Sequence, residues 1–216
     1  MALVHQEPQR QRITLLRIDD GRPSRRRGAD AAARQADAFG VAHSVELILS
    51  HIYAAPHSPG STAGGRGTVA PAESTPPPLA TDQVLLAAAG YARRRGVDRL
   101  IYPASYGLAS ERLSRATERL LLIEQLAATT PPEAVGDPAA VREGSALHIE
   151  TPLFDLSDQQ VVELGGQLGV DFALSWSCRK DAASPCQQCR ACKRRKAAFD
   201  KAGIEDSLLS ASAAAA

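Results

Sequence analysis

The stretch CRKDAASPCQQCRAC, residues 178–192, holds every cysteine of the 216-residue chain. The four cysteines follow the spacing C-x7-C-x2-C-x2-C and are Cys178, Cys186, Cys189 and Cys192. Four thiolates so close in sequence can surround one tetrahedral ion, and a closed four-thiolate shell is the usual form of a structural zinc site. Because such a site can contribute about 10–16 kcal/mol to folding, the sequence predicts a zinc ion that holds this segment together.

Two other interpretations use the same sulfur atoms. A C-x2-C-x2-C run also suits an iron–sulfur cluster, and an even number of cysteines can form disulfides in a secreted protein. The first ten residues, MALVHQEPQR, lack the apolar segment of a signal peptide, which argues against an oxidising compartment. We therefore prefer zinc and keep the iron–sulfur cluster as the alternative.

Composition and charge narrow the class of protein. The chain is 44% apolar and has a formal net charge of +1, so bulk charge gives no attraction to nucleic acid or to anionic membranes. No segment approaches the roughly 18 consecutive apolar residues of a membrane span. We expect a cytoplasmic globular protein with one core and a small metal-bound extension.

Upstream of the cysteines, strand patterns and helix patterns alternate along the chain. Asp82 and Ser157 are predicted N-caps, and Gly169 is predicted to end the last helix of this region. The alternation predicts an α/β fold with one parallel sheet and helices on both of its faces, as in Rossmann-like domains. The predicted strands are 13–18, 43–49, 100–103 and 147–153, and the predicted helices are 24–39, 82–95, 111–126 and 157–168.

This pattern also suggests a domain organisation. We expect an α/β domain at 1–170, a zinc-binding loop and helix at 171–206, and a tail at 207–216. Residues 54–80 are rich in Pro, Gly, Ser, Thr and Ala and are predicted to form a mobile loop. The glycine-rich part of this loop lacks the preceding strand and following helix that a phosphate-binding loop needs.

A series of motifs lies in order between residues 147 and 206. The motifs are Thr151-Pro152-Leu153, Leu156-Ser157, Val161-Val162-Glu163-Leu164, Leu168-Gly169-Val170 and Ser175-Trp176-Ser177-Cys178, followed by the other three cysteines, Arg195, Phe199 and Gly203. Taken together they resemble the 7-cyano-7-deazaguanine synthase family. The resemblance implies an adenine nucleotide alpha hydrolase-like fold, a homodimer, and a zinc ion held by the four cysteines. It also implies an ATP-dependent ligase that converts 7-carboxy-7-deazaguanine and ammonia into the nitrile used for queuosine.

The chain departs from the pattern of this family on the nucleotide side. The Ser-Gly-Gly-x-Asp-Ser loop, which holds ATP phosphates in the family, does not occur in these 216 residues. Other family motifs are replaced by Gly21-Arg22-Pro23, Thr81-Asp82 and Asp158, and the Tyr-Pro-Asp segment has no clear counterpart around Tyr106 to Arg112. We therefore expect a diverged, truncated or partner-dependent member, in which a second copy or a partner subunit supplies a missing central strand. No catalytic or ATP-binding residue is assigned.

Two functions without catalysis stay open. The first is a zinc-stapled protein that binds a 7-deazaguanine-type small molecule or a catalytic partner. The second is an RNA-binding module, for which the basic run at 193–196 would supply the contacts. A run of four basic residues on a helix is more often a solvated face, and aromatic residues for base stacking are scarce, so the RNA interpretation is the less favoured.

Overall fold

A computed structural model describes residues 13–22, 24–52, 79–108, 110–129 and 146–214. The predicted loop at 54–80 therefore lies outside the described residues, except for its last two positions. Two short 3-10 helices occur at Ser50–Ile52 and Phe172–Leu174. The strands are β1 (Thr14–Asp19), β2 (His43–Ile48), β3 (Arg99–Ile101) and β4 (His148–Glu150), and the helices are α1 (Arg25–Ala38), α2 (Ala80–Arg94), α3 (Ser110–Ala128), α4 (Asp158–Gln167), α5 (Arg190–Ala202) and α6 (Ser207–Ala214).

The strands form two small parallel sheets. β1 pairs with β2 from Thr14 opposite His43 to Asp19 opposite Ile48. β3 pairs with β4 over only three positions, beginning with Arg99 opposite His148. The predicted α/β class with parallel strands is confirmed, and the described strands form two two-stranded sheets rather than one continuous sheet. A single sheet needs β1 and β3 to pair or a further strand between them, and neither occurs among the described residues.

The chain folds into two compact units. The first combines residues 1–78 with residues 162–216, and the second is the continuous segment 79–161. The division at 170 and 206 that we drew from the sequence stays a prediction. The segment predicted as a tail begins with helix α6. Within the described residues, no helix has both the length and the apolar character required to span a membrane.

The core of the second unit joins α2, α3 and β4. The buried residues of α2 recur at three- and four-residue spacing, so they share one face of the helix. Leu86 lies one position past this face and is 41% exposed. The core residues are Leu85, Ala89, Ala92, Leu120, Ile123, Ala127, Leu147, Ile149 and Phe154.

Two predicted boundaries are wrong for local reasons. Helix α2 begins at Ala80 rather than at Asp82, and the residue before it, Leu79, has a left-handed backbone with φ 59°. Asp82 instead occupies the first turn, where its carboxylate interacts favourably with the helix dipole. Strand β4 ends at Glu150 because the chain turns at once, with the Phe154 N–H donating to the Thr151 carbonyl at 3.2 Å.

The predicted cap of α4 is confirmed. The Ser157 hydroxyl oxygen accepts from the Gln160 N–H at 3.3 Å, and the Gln160 side-chain oxygen accepts from the Ser157 N–H at 2.8 Å. This reciprocal pair is a capping box, and it satisfies two N–H groups that have no partner within the helix. At the other end Gly169 has φ 65°, a left-handed conformation that ends the helix where predicted.

Candidate metal centre

The four cysteines of the 178–192 segment come together in the first unit. Their sulfur atoms all lie within 4.8 Å of one another, and the Sγ atoms of Cys186 and Cys192 are 4.0 Å apart. A tetrahedral ion with metal–sulfur bonds of about 2.3 Å would separate its sulfur ligands by about 3.8 Å. All four cysteines are free thiols, so disulfides are not formed. The spacing fits a single four-coordinate metal ion.

The backbone brings each sulfur to the centre in a different way. Cys178 follows an extended segment, whereas Cys186 follows the buried Pro185. Gln187 has φ 56°, a left-handed conformation that turns the chain between Cys186 and Cys189. Cys189 is the residue before helix α5, and Cys192 lies in the first turn of that helix. The helix start therefore fixes two ligands and the turn at Gln187 fixes a third.

Backbone N–H groups also point at the sulfur atoms. The N–H of Lys180 donates to the Cys178 sulfur at 3.4 Å, and the N–H of Cys186 donates to the same sulfur at 3.5 Å. The N–H of Cys189 donates to the Cys186 sulfur at 3.4 Å. Hydrogen bonds of this kind favour the thiolate, which is the form that binds metal.

The thiols differ in how readily they ionise. Hydrogen bonds from the backbone N–H groups of Cys189 and Gln188 lower the pKa of Cys186 to about 6. Burial raises the pKa of Cys178, and burial together with a hydrogen bond to Cys189 raises the pKa of Cys192. Four thiolates within 4.8 Å would repel one another. A bound cation removes this repulsion, which is why a closed set of four thiols favours metal binding.

Trp176 packs on the thiol cluster. Its side chain packs against the buried cysteines, and its indole N–H donates to the Cys178 carbonyl at 2.9 Å. The ring shields the sulfur atoms while its polar N–H remains satisfied. Cys178 and Cys189 are 2% and 0% exposed, so solvent is excluded from this side of the centre.

Arg195 joins the metal loop to the residues on either side of it. Its guanidinium forms a bidentate ion pair with Asp206, with N–O distances of 2.6 and 2.7 Å. The remaining N–H groups donate to the hydroxyls of Ser175 and Ser177 and to the carbonyl of Phe172. All five donors of the side chain are therefore used. The two charged side chains are only 10% and 6% exposed.

The basic run at 193–196 is not one continuous solvated face. The Arg195 side chain is largely buried, and its guanidinium also lies 5.0 Å from the centre of the Phe199 ring. Lys196 is exposed and pairs with Asp200 one helical turn away. The sequence does not indicate the pairing between Arg195 and Asp206, because the partners are eleven residues apart and Asp206 lies beyond the end of α5, just before α6. At least two of the four cations are engaged with carboxylates, which leaves less positive charge for RNA.

The positions at which the chain departs from the family pattern fall in both units. In the first unit, a Cβ atom at Gly21 would lie 2.3 Å from the Ser50 carbonyl oxygen, so only glycine fits there. In the second unit, Asp82, Tyr106 and Arg112 line one cavity of about 190 Å³. The carboxylate of Asp158 lies 3.4 Å from the Ser105 hydroxyl oxygen.

Comparison with known proteins shows that the sequence of this chain is similar to queuosine biosynthesis proteins. The sequence profile described as "Queuosine biosynthesis protein QueC" matches residues 80–203, which is more than half of the chain. The chain is similar to the 7-cyano-7-deazaguanine synthase of Nostoc sp. (strain PCC 7120), with 42% identity over 67 residues. It is also similar to the synthases of Acaryochloris marina, with 45% identity over 71 residues, and Cellvibrio japonicus, with 42% over 66.

These matches cover a limited part of each relative. They span 31%, 31% and 30% of this chain and 29%, 31% and 29% of the Nostoc, Acaryochloris and Cellvibrio proteins. The chain therefore matches about 30% of the length of these relatives.

Proposed function

The chain belongs to the QueC family of queuosine biosynthesis proteins, and from this premise we propose that it acts in the formation of 7-cyano-7-deazaguanine, with zinc bound at its four cysteines. The observation that carries the proposal is the cluster of four thiols in a chain whose residues 80–203 match the family profile. The reaction class is the ATP-dependent conversion of 7-carboxy-7-deazaguanine and ammonia into a nitrile.

We assign the zinc ion a structural role. Four protein thiolates complete a tetrahedral shell, so no position is left for water or substrate. The buried sulfurs and the Trp176 ring support this role, because a catalytic ion must be reachable. Zinc is preferred over an iron–sulfur cluster because the irons of a cluster would hold the sulfurs farther apart than they are here.

The metal assignment is tested by elemental analysis of the purified full-length chain. We expect about one zinc ion per chain and no labile sulfide. The Cys189→Ser variant should lose this zinc. The matched control is Gln188→Ala, which alters the exposed neighbouring side chain and keeps the backbone N–H groups. Iron with sulfide, or full zinc occupancy in the Cys189→Ser variant, would overturn the assignment.

The reaction is tested by incubating the zinc-loaded chain with 7-carboxy-7-deazaguanine, ammonia and ATP. Nitrile formation, followed by mass spectrometry, is expected from the chain alone or after addition of a subunit that carries the Ser-Gly-Gly-x-Asp-Ser loop. No nitrile under either condition contradicts the proposed reaction. Calorimetric binding of 7-carboxy-7-deazaguanine without turnover would instead support the non-catalytic alternative.

A further inference from the structure

The four thiols of the candidate metal centre are not equally covered. Cys178, Cys189 and Cys192 are 2%, 0% and 6% exposed, whereas Cys186 is only partly buried. Buried structural cysteines are inert to reagents in solution, whereas partly exposed thiolates react with them. Cys186 is therefore the sulfur of this cluster that an oxidant can reach most readily.

A small cavity gives only narrow access to two of the other sulfurs. Cys178 and Cys192 line a space of about 50 Å³ together with Ser177 and Arg195. This volume holds about one or two water molecules, so it admits hydrogen peroxide but no bulkier oxidant. The size of the oxidant therefore distinguishes entry through this cavity from attack at the more exposed Cys186.

The sulfur of Cys192 lies close enough to react with an oxidised Cys186. The two Sγ atoms are 4.0 Å apart, and a disulfide needs them at about 2.0 Å. Cys192 is fixed in the first turn of α5, whereas Cys186 lies in the loop before the helix, next to the left-handed Gln187. A displacement of the loop by about 2 Å therefore closes the bond.

We propose that Cys186 is a site of oxidation by hydroperoxides, that Cys192 converts the oxidised sulfur into a disulfide, and that this bond releases the zinc ion. The Cys186 thiolate attacks the terminal oxygen of the hydroperoxide, so that an S–O bond forms and the O–O bond breaks. The sulfur is oxidised by two electrons to a sulfenic acid, and the peroxide is reduced to an alcohol or water after its leaving oxygen takes up a proton. The Cys192 thiolate then attacks the Cys186 sulfur, forms the S–S bond and expels hydroxide, which is protonated to water.

The disulfide removes two of the four metal ligands. The two thiolates that remain, Cys178 and Cys189, cannot complete the tetrahedral shell of a structural zinc site. The reduced chain therefore holds the ion and the oxidised chain does not, and a reducing thiol together with zinc restores the first state. This inference rests on the zinc assignment of the proposed function, but it does not require nitrile formation.

The test begins with the full-length chain after elemental analysis has shown that it carries zinc. Hydrogen peroxide or the bulkier tert-butyl hydroperoxide is added in the presence of a chromogenic chelator that reports released zinc. We expect both reagents to release the ion, with one zinc lost for each disulfide formed, and we expect dimedone to capture the sulfenic acid at Cys186. Retention of zinc under both peroxides overturns the proposal, and so does release by hydrogen peroxide alone, because only that reagent fits the cavity beside Cys192. A chain isolated without zinc refutes the metal assignment and this inference together, whereas failure of the nitrile assay leaves the result unaffected.

Peptide mapping of the oxidised chain identifies the bonded cysteines. Trypsin cleaves after Arg190, so it separates the peptide that contains Cys186 and Cys189 from the peptide that contains Cys192. We expect these two peptides to be joined, and fragmentation should place the bond on Cys186. A bond within the first peptide, between Cys186 and Cys189, overturns the assignment of Cys192.

A variant tests the second step separately. In Cys192→Ser the thiol that attacks the sulfenic acid is absent, so the dimedone label on Cys186 should increase and the disulfide should be lost. Gln188→Ala is the matched control, because it keeps all four thiols and should behave like the unaltered chain. If Cys192→Ser gives no more label than Gln188→Ala, Cys192 does not react with the oxidised sulfur. The peptide map of the unaltered chain decides the question even where Cys192→Ser does not fold.

Discussion

At the scale of single residues, Arg195 and Lys196 form a natural comparison within helix α5. Both pair with an aspartate, but the Arg195–Asp206 pair is buried and the Lys196–Asp200 pair is exposed. Removing one partner of a buried pair leaves a desolvated charge, whereas an exposed pair contributes little. Neighbouring cations of one sequence run therefore have very different energetic importance.

We predict that Arg195→Met lowers the free energy of unfolding by about 3–5 kcal/mol, because Asp206 is left buried and unpaired. Lys196→Met should lower it by no more than about 1 kcal/mol. Urea unfolding of the zinc-loaded protein measures both values. Equal losses for the two variants would show that the Arg195 pair does not hold the metal loop to its surroundings.

The cysteine cluster and the Arg195–Asp206 pair show what the sequence can and cannot predict about single residues. The cysteine cluster was predictable because four metal-binding side chains lie within fifteen residues, so chain connectivity alone keeps them close. The partner of Arg195 was not predictable, because Asp206 reaches it only when α5 ends at Gly203 and the chain turns back. Long-range pairs of this kind depend on tertiary packing, which local spacing does not encode.

At the scale of elements, the start of α4 depends on its capping box. We predict that Ser157→Ala lowers the free energy of unfolding by about 1 kcal/mol, because the Gln160 N–H loses its acceptor. The control is Gln167→Ala, at an exposed position near the other end of the helix, which should change stability by less than about 0.5 kcal/mol. Thermal or urea unfolding measures the difference, and similar values for the two variants would contradict the role of the box.

The Phe172 ring packs closely against Gly165 of α4, and this contact gives a second prediction about a helix. A Cβ atom at Gly165 would lie 2.7 Å from Cζ of Phe172, whose ring is itself packed edge to face on Phe199. Gly165→Ala should therefore lower the free energy of unfolding by about 1–3 kcal/mol.

Gly90→Ala serves as its control, since Gly90 is an exposed helical residue with open space around it. Alanine should stabilise helix α2 there by up to about 1 kcal/mol. The two changes are chemically identical, so opposite signs in urea unfolding identify packing as the cause. A neutral Gly165→Ala variant would mean that the Phe172 ring moves aside at little cost.

Helix starts show why some elements were predicted better than others. The Ser157 cap was correct because the serine and Gln160 bond to each other across one turn, so the signal lies within four residues. The start of α2 was wrong because a left-handed residue, Leu79, precedes it, and leucine gives no sign of that conformation. A helix start can be recognised from the sequence when the residues at that start are of types that favour the conformation they adopt.

At the scale of the whole molecule, the metal loop belongs to a unit that also contains β1, α1 and β2. The Gln35 side chain of α1 donates to the Leu174 carbonyl at 3.2 Å, just before the metal loop. The sequence did not predict this association, because about 140 residues separate the two contact points. It predicted one parallel sheet instead, since alternating strands and helices do not reveal which strands pair.

We predict that removing the zinc with a chelator destabilises the first unit selectively. Amide hydrogen exchange should become faster in α5, which carries two of the cysteines, and in α1, which contacts the 3-10 helix just before the metal loop. It should change little in α2 and β3 of the second unit. Returning zinc should restore protection. A uniform loss of protection throughout the described chain would show that the two units unfold together.

The discontinuity of the first unit affects how the protein is made on the ribosome. Residues 79–161 emerge as one uninterrupted length and can fold while translation continues. β1 and β2 emerge earlier but must wait for residues 162–214, and loop closure over such a distance is slow. The four cysteines of the candidate metal centre are synthesised after residues 79–161, so their thiols can gather around an ion only once the second unit has been made.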